Sequence, residues 1–309
     1  MFRKIKRYLR DPYHEIGYDM LWKHPDWMSD RWFLKSYWKR SFGYELDLEH
    51  PKTFNEKLQW LKLHDRKPEY TTMVDKYLAK QWVADKIGEQ YIIPTLAVYN
   101  SVDEIDLGKL PDQFVLKCNH DSGNVVICKD KSMFDLQNAK EKIALALKND
   151  YYLKWREWPY KNVKSRILVE KYMEDGSGEL IDYKFFCFNG YPKVILVCSE
   201  RFSSDNMYET WLDDNWNILP IVENGHRVDE KCSQPLNFDL MKELAIILSK
   251  DITFARIDFY EINGKVYFGE ITFFPASGFE KFEPEEWNKT LGDWIELPSR
   301  NENRLFTGW

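Results

Sequence analysis

Hydrophobic spacing along the chain changes near Gln90. Before it, apolar residues recur at helical intervals and β-rich runs are few. Lys52-Thr53-Phe54-Asn55-Glu56-Lys57 has the form of a capped helix start. Thr53 stands as N-cap, Glu56 follows three residues on, and apolar Leu58, Leu61 and Leu63 come next. A second helix is predicted from Val74 to Ile87, with Val74, Leu78, Trp82 and Ile87 near one face. Trp22, Trp27, Trp32, Trp38, Trp60 and Trp82 all fall in this stretch.

After Gln90 the rhythm turns to short β-like runs. Tyr91-Ile92-Ile93 reads as extended up to Pro94, Phe114–Cys118 and Val125–Cys128 read as strands, and residues 135–148 carry a helical stripe of Leu136, Ala139, Ile143 and Leu147. Ile167-Leu168-Val169 is a buried strand. Tyr183–Phe188 and Lys193–Cys198 flank Asn189-Gly190 as a hairpin, Phe238–Leu248 is a helix, and Thr253–Tyr260 with Val266–Ile271 form a last hairpin around Asn263-Gly264. Helices first and mixed elements afterwards mean an α+β fold. Residues 1–90 form a helical N-terminal region and 91–309 the main domain.

The last hairpin carries chemistry. Arg256 and Asp258 share one strand face, and so do Glu270 and Thr272 on the next strand, because side chains alternate. A two-residue Asn263-Gly264 loop sets Asp258 opposite position 269 and turns Glu270 away. A three-residue Ile262-Asn263-Gly264 loop puts all four polar residues on one side and Ile257, Phe259, Tyr267 and Ile271 on the other. The clean apolar face favours the three-residue loop. Two carboxylates and a hydroxyl on one face suit Mg²⁺, and an adjacent Arg suits phosphoryl oxygens. Surface salt bridges on an exposed sheet are the plain alternative.

Two further segments are candidates. Lys117 ends a strand before the polar loop Asn119-His120-Asp121-Ser122-Gly123-Asn124, which reads as a phosphate cradle or an ordinary turn. Ile167–Met173 runs from an apolar strand into polar residues and a Gly176/Gly178 linker, which reads as a backbone edge for a base or a core strand with its loop.

Composition narrows the class. The chain has 309 residues, a net charge of −6 and 13 Trp. A general nucleic-acid binder is usually basic, so none is expected. Five Cys without a C-x-x-C pair, four of them in apolar runs, fit a reduced cytoplasmic setting. No apolar stretch is long enough to span a membrane. Met1 to Arg10 holds Arg3, Lys4, Lys6, Arg7 and Arg10 with Phe2, Ile5 and Leu9 at helical spacing. It is either a contact for an anionic membrane surface or a solvated helix end.

Other features leave open readings. Arg201 suits a phosphate or acidic substrate, or is a plain loop cation. Pro275-Ala276-Ser277-Gly278 offers backbone N–H groups to a substrate carboxylate, with Ser277 and Gly278 as the candidates. Tyr151–Trp158 is a lid, a sugar surface or a packed helix. Asp213-Asp214 between Trp211 and Trp216 suits a glycosyltransferase metal pair or a hairpin tip.

Taken in order, Lys117, then Glu170-Lys171-Tyr172-Met173, then Arg256/Asp258 and Glu270/Thr272 resemble the ATP-grasp fold, two α+β lobes (about 110–173 and 180–285) sandwiching a nucleotide. Lys117-Cys118-Asn119-His120, Trp158-Pro159-Tyr160, Asp182-Tyr183-Lys184-Phe185, Arg256–Tyr260 and Phe268–Phe273 are most similar to its TupA-like family, linked to teichuronopeptide and capsule biosynthesis. The resemblance implies ATP and Mg²⁺ as cofactors. Lys117, Ser122, Gly123, Glu170, Lys171, Tyr172, Met173 and Glu179 would bind nucleotide. Asp258, Glu270 and Thr272 would hold metal, and Arg256, Lys184 and Arg201 would act in catalysis. It implies a carboxylate–amine ligase joining an amino-acid amine to an acidic sugar or polysaccharide carboxylate. Thr272 stands where the family pattern has Asn, and Asp121 stands in a loop often rich in Gly.

Overall fold

A computed structural model describes residues 25–175, 180–199, 207–223 and 226–299. The basic segment Met1 to Arg10, the linker glycines Gly176 and Gly178, Glu179 and Arg201 lie outside the described residues.

Among the described residues, four α-helices come first: α1 (Asp30–Phe42), α2 (Phe54–His64), α3 (Glu69–Val74) and α4 (Leu78–Ile87). α2 starts where its capping signal predicts. Glu56 N–H donates to Thr53 Oγ1 at 3.3 Å and Thr53 N–H donates to Glu56 Oε2 at 2.9 Å. The continuous helix expected over Val74–Ile87 is instead broken between α3 and α4. Asp75 is extended there, and its Oδ1 accepts the Tyr77 and Leu78 N–H groups at 2.9 and 3.3 Å. A short acceptor next to free backbone donors competes with the helix and restarts it. Tyr91 to Ile93 is likewise not a strand; the strand follows Pro94.

The smaller unit is a four-stranded antiparallel sheet, β1 (Thr95–Tyr99), β2 (Phe114–Cys118), β3 (Val125–Cys128) and β4 (Ile167–Lys171), ordered β1-β4-β2-β3. Between β3 and β4 come α5 (Leu136–Leu147) and α6 (Tyr151–Trp155). Alternation sorts β2. Phe114, Leu116 and Cys118 are buried with Ile143 and Ala146 of α5, while Val115 and Lys117 face the other way.

The larger unit is a five-stranded sheet ordered β10-β9-β5-β6-β7. Its strands are β5 (Asp182–Phe188), β6 (Tyr191–Ser199), β7 (Tyr208–Asp213), β9 (Phe254–Ile262) and β10 (Lys265–Thr272), with the short β8 (Val222–Glu223) before α7 (Phe238–Ser249). The chain then passes through β11 (Phe282–Glu283), paired with β8, and α8 (Glu286–Asp293). α7 covers one face, where Phe238 stacks 6.0 Å from Phe185. α2 covers part of the other, with Phe54 at 5.0 Å from Phe254 and 6.1 Å from Phe188. Burying one such Phe contributes about 2–3 kcal/mol. The N-terminal helices therefore share one continuous core with the five-stranded sheet.

The last hairpin differs from the three-residue loop expected for it. Lys265 pairs with Ile262, so the loop is Asn263-Gly264, with φ of 52° and 72°. Positive φ at both positions gives the turn whose twist matches its strands. Convergence of the polar residues is restored further along. Phe268 pairs with Phe259, but Ile271 pairs with Ile257, so Gly269 and Glu270 together stand against Asp258. This β-bulge in β10 shifts the alternation by one residue. The core side of β10 is accordingly Val266 and Phe268 before the bulge and Ile271 after it, while Tyr267, expected in the core, is only half-buried. At Gly269 an added Cβ would lie 3.1 Å from the Asp258 carbonyl oxygen and from the Tyr260 ring, so a larger residue requires these neighbours to shift.

Candidate active site

Three neighbouring strands each bring two residues, spaced two apart, to one sheet face: Asp182 and Lys184 on β5, Arg256 and Asp258 on β9, Glu270 and Thr272 on β10. Further along the same face, Phe186, Phe188 and Phe254 pack on Phe54. One face thus passes from core to polar site because the i, i+2 positions change chemistry along each strand.

The charges interlock. Arg256 Nε and Nη2 donate to Asp258 Oδ1 and Oδ2, both at 2.7 Å, and Nη2 also donates to Glu270 Oε1 at 2.9 Å. Lys184 Nζ lies 3.0 Å from Asp182 Oδ2 and 3.5 Å from Asp258 Oδ2. Lys76 Nζ lies 3.1 Å from Glu270 Oε2. Thr272 Oγ1 donates to Glu270 Oε1 at 3.3 Å. On the facing sheet, Lys117 and Lys80 hold the two oxygens of Glu170 at 2.7 and 2.6 Å. Burial raises the Glu170 carboxyl, but the two lysines outweigh it and hold that group below its usual range. Burial likewise raises Glu270, and Lys76, Arg256 and Lys184 together bring it well below.

Between the sheets lies a cleft of about 650 Å³, within the size range of small-molecule sites. Ile93, Val115, Ile127, Met173 and Leu180 give it an apolar end. Lys76, Lys117, Lys184, Asp258 and Glu270 give it a charged end.

This donor set fits ATP and Mg²⁺. Mg²⁺ takes one or two protein carboxylates and completes its shell with water and phosphate. Asp258 and Glu270 meet that need, although no three acidic, His or Cys side chains converge as a metal cage among the described residues. The cations that now grip these acids have the charge to hold phosphates instead.

The cleft also gathers Ser122, Gly123, Lys171, Tyr172 and Met173. Gly123 has φ of +83° and open space around it. Asp121 does not stand as a bare anion in the loop, because its carboxylate accepts from Asn124 and, at 3.2 Å, from Asn149. Ser277 and Gly278 are not brought to the cleft. Ser277 N–H donates to the Phe274 carbonyl at 2.8 Å, its Oγ donates to Glu157 at 2.5 Å, and a Cβ on Gly278 would meet Gln59. The Tyr151–Trp158 run is packed structure. The Arg156 guanidinium is buried 4.7 Å from the Phe33 ring and 5.4 Å from the Tyr152 ring. Asp213 is consumed by its own turn, accepting from Asn215 and Asn217 N–H at 2.9 and 2.8 Å.

Lys76 and Lys80, which hold Glu270 and Glu170, were not singled out from sequence, and Asp182 entered only within Asp182-Tyr183-Lys184-Phe185, without a role of its own. Asp182 repeats the i, i+2 spacing of the other two strands and was legible on that ground. Lys76 lies in the turn before α4 and Lys80 in its first turn, and nothing local points either side chain at a cleft.

Two α+β units closing on a cleft, with a Lys–Glu cluster on one wall and paired acids held by Arg and Lys on the other, are the architecture of an ATP-grasp protein. The TupA-like ATP-grasp family matches residues 56–296. The chain belongs to that family, a branch of the ATP-grasp ligases. No curated protein matches the sequence. Among solved structures it is similar to D-alanine–D-alanine ligase from Bacillus anthracis complexed with ATP (16% identity, TM-score 0.40, covering 76% of this chain and 65% of that one). It is also similar to the Helicobacter pylori D-alanine–D-alanine ligase (15%, 0.41, 79% and 69%). A third is the ATP-grasp ligase PsnB complexed with minimal precursor, Mg and ADP (7%, 0.37, 71% and 57%).

Proposed function

We propose that this chain is an ATP-dependent carboxylate–amine ligase that joins an amino-acid amine to a carboxylate of an acidic cell-surface polysaccharide or its precursor. The observation that carries the reaction type is the convergence of Arg256, Asp258 and Glu270 with Lys184 opposite the Lys117–Glu170–Lys80 cluster. Family membership supports the same reading.

In this reading Asp258 and Glu270 would hold Mg²⁺, which would supply charge neutralisation for the phosphates. Thr272 orients Glu270. Lys117 and Lys184 bind phosphate oxygens, and the 121–124 loop closes over them. Val115, Ile127 and the Glu170–Met173 edge receive the base. A carboxylate oxygen of the substrate attacks the γ-phosphorus and ADP leaves. The amine then attacks the acyl carbon, inorganic phosphate leaves, and the amine proton goes to solvent. Arg256 stabilises charge on the transferring group and on the tetrahedral species. No protein nucleophile is needed.

The test is ADP release with ATP, Mg²⁺, amino acids and uronic-acid acceptors. Acceptor-dependent ADP with a hydroxylamine-trappable acyl phosphate is expected. Acceptor-dependent ADP without trapping under any condition would point to phosphorylation of a hydroxyl and refute the ligase.

A further inference from the structure

A second depression, of about 230 Å³, lies beside the cleft. Its lining includes His120, Lys148, Tyr151, Tyr160, Lys161 and Ser165. His120 and Asp121 are adjacent in sequence but line different spaces, His120 the depression and Asp121 the cleft. The seam between the two is the Asn149 Nδ2 bond to Asp121 Oδ1, 3.2 Å. Tyr151 and Tyr160, with ring centroids 4.7 Å apart, line the depression. Burial first, and then the charges of Glu157 and Glu270, push the Tyr151 hydroxyl up; burial, Glu157, Tyr151 and Glu270 do so for Tyr160. The depression thus meets the cleft at the Asp121 loop.

Its chemistry is that of an anion site. Lys148 and Lys161 bring two cations to it, with His120 and Ser165 as polar neighbours. The one acid in the lining, Asp150, turns its Oδ1 to the start of α6, accepting the Leu153 N–H at 2.8 Å. Lys161 lies 5.1 Å from the Tyr152 ring and pairs with no carboxylate among the described residues, nor does Lys148. Burial holds the His120 imidazole below its usual value, so it offers a neutral ring. Its Nε2 lies 3.5 Å from Ser165 Oγ. Uncompensated cations beside neutral donors favour a negatively charged group.

We propose that this depression binds a second anionic group of the acyl substrate, whose reacting carboxylate lies at Arg256. The substrate is then a di- or polyacid, such as a run of uronates, rather than an isolated monocarboxylate. This rests on the ligase reading and specifies its substrate class.

The full chain is titrated with galacturonate against digalacturonate and with butyrate against glutarate, with and without Mg·AMPPNP. At least one diacid is expected to bind about tenfold tighter than its monoacid, the combined effect of two partly exposed charge contacts. In the Lys148→Ala/Lys161→Ala double variant that advantage falls to within twofold, while the thermal midpoint stays native. Equal binding of diacid and monoacid in both pairs would overturn the proposal, as would an advantage that survives in the variant. Failure of Mg·AMPPNP to bind would instead strike the ligase reading, and the diacid comparison is read on the same samples either way.

Discussion

Asp258 shows how much of this site is a matter of single contacts. It is almost fully buried, both its oxygens are held by Arg256, and Lys184 approaches one of them. Replacing one such electrostatic partner is expected to lower a rate by on the order of 10²–10³. Asp258→Asn should therefore lose acceptor-dependent ADP release to that extent while circular dichroism stays native; an active variant would remove Asp258 from its assigned role. The Glu170 and Glu270 carboxyls are both held below the ordinary glutamate value of 4.5. For such groups the unfolded chain takes up protons first as pH falls. Their contribution is present above about pH 4.5 and lost below it, as each folded-state value is approached. Thermal midpoints recorded from pH 7 to pH 3 should fall steeply below pH 4.5. Glu170→Gln should lower the midpoint at pH 7, since it leaves Lys80 and Lys117 without their acid, and should make the acid limb shallower.

At the scale of elements, the last hairpin separates two kinds of glycine. Gly264 supplies a left-handed turn position with φ of 72° and no crowding. Gly264→Ala should cost about 1 kcal/mol and leave catalysis unchanged. Gly269 supplies the bulge that turns Glu270 toward Arg256, with the Asp258 carbonyl 3.1 Å from where a Cβ would be. Gly269→Ala should cost about 1–3 kcal/mol and also reduce ADP release, because the strand shift displaces Glu270. Denaturant midpoints and turnover measured on both variants check this contrast; equal turnover in the two would mean the bulge does not position the acid. The hairpin's position and its i, i+2 polar pairs were legible in sequence, whereas the two-residue Asn263-Gly264 turn is not the three-residue loop that the apolar split favours. The bulge was written there too, as apolar residues at 266 and 268 followed by 271, a step of three. A regular ladder hides that step, so the convergence was assigned to the loop.

At the scale of the molecule, the N-terminal helices and the C-terminal helix close one core over the five-stranded sheet. Gly292 of α8 meets the start of α2 so closely that a Cβ would lie 2.4 Å from the Lys52 carbonyl oxygen. Lys57 Nζ reaches the Gly292 and Ile295 carbonyl oxygens, both at 2.8 Å. Gly292→Ala should destabilise by about 1–3 kcal/mol, seen as a lower denaturant midpoint with one cooperative transition retained. A separate early transition would mean that the helices unfold independently of the sheet.

By itself the sequence determined the α+β class, the capped start of α2, most strands and the ordered set Lys117, Glu170–Met173, Arg256/Asp258 and Glu270. These are local properties: period, capping and i, i+2 spacing act within a few residues and leave a direct trace in residue order. Only the tertiary structure decided which cations meet which acids. Lys76, in the turn before α4, and Lys80, in its first turn, lie roughly 190 and 90 positions from Glu270 and Glu170, and that pairing depends on two sheets being held apart across a cleft. The same holds for Ser277 and Gly278, whose polar groups look available in a short motif but are taken up by Glu157 and Gln59 once the chain packs. Local rules cannot encode such choices, because desolvation and pairing energies are set by neighbours distant in the chain.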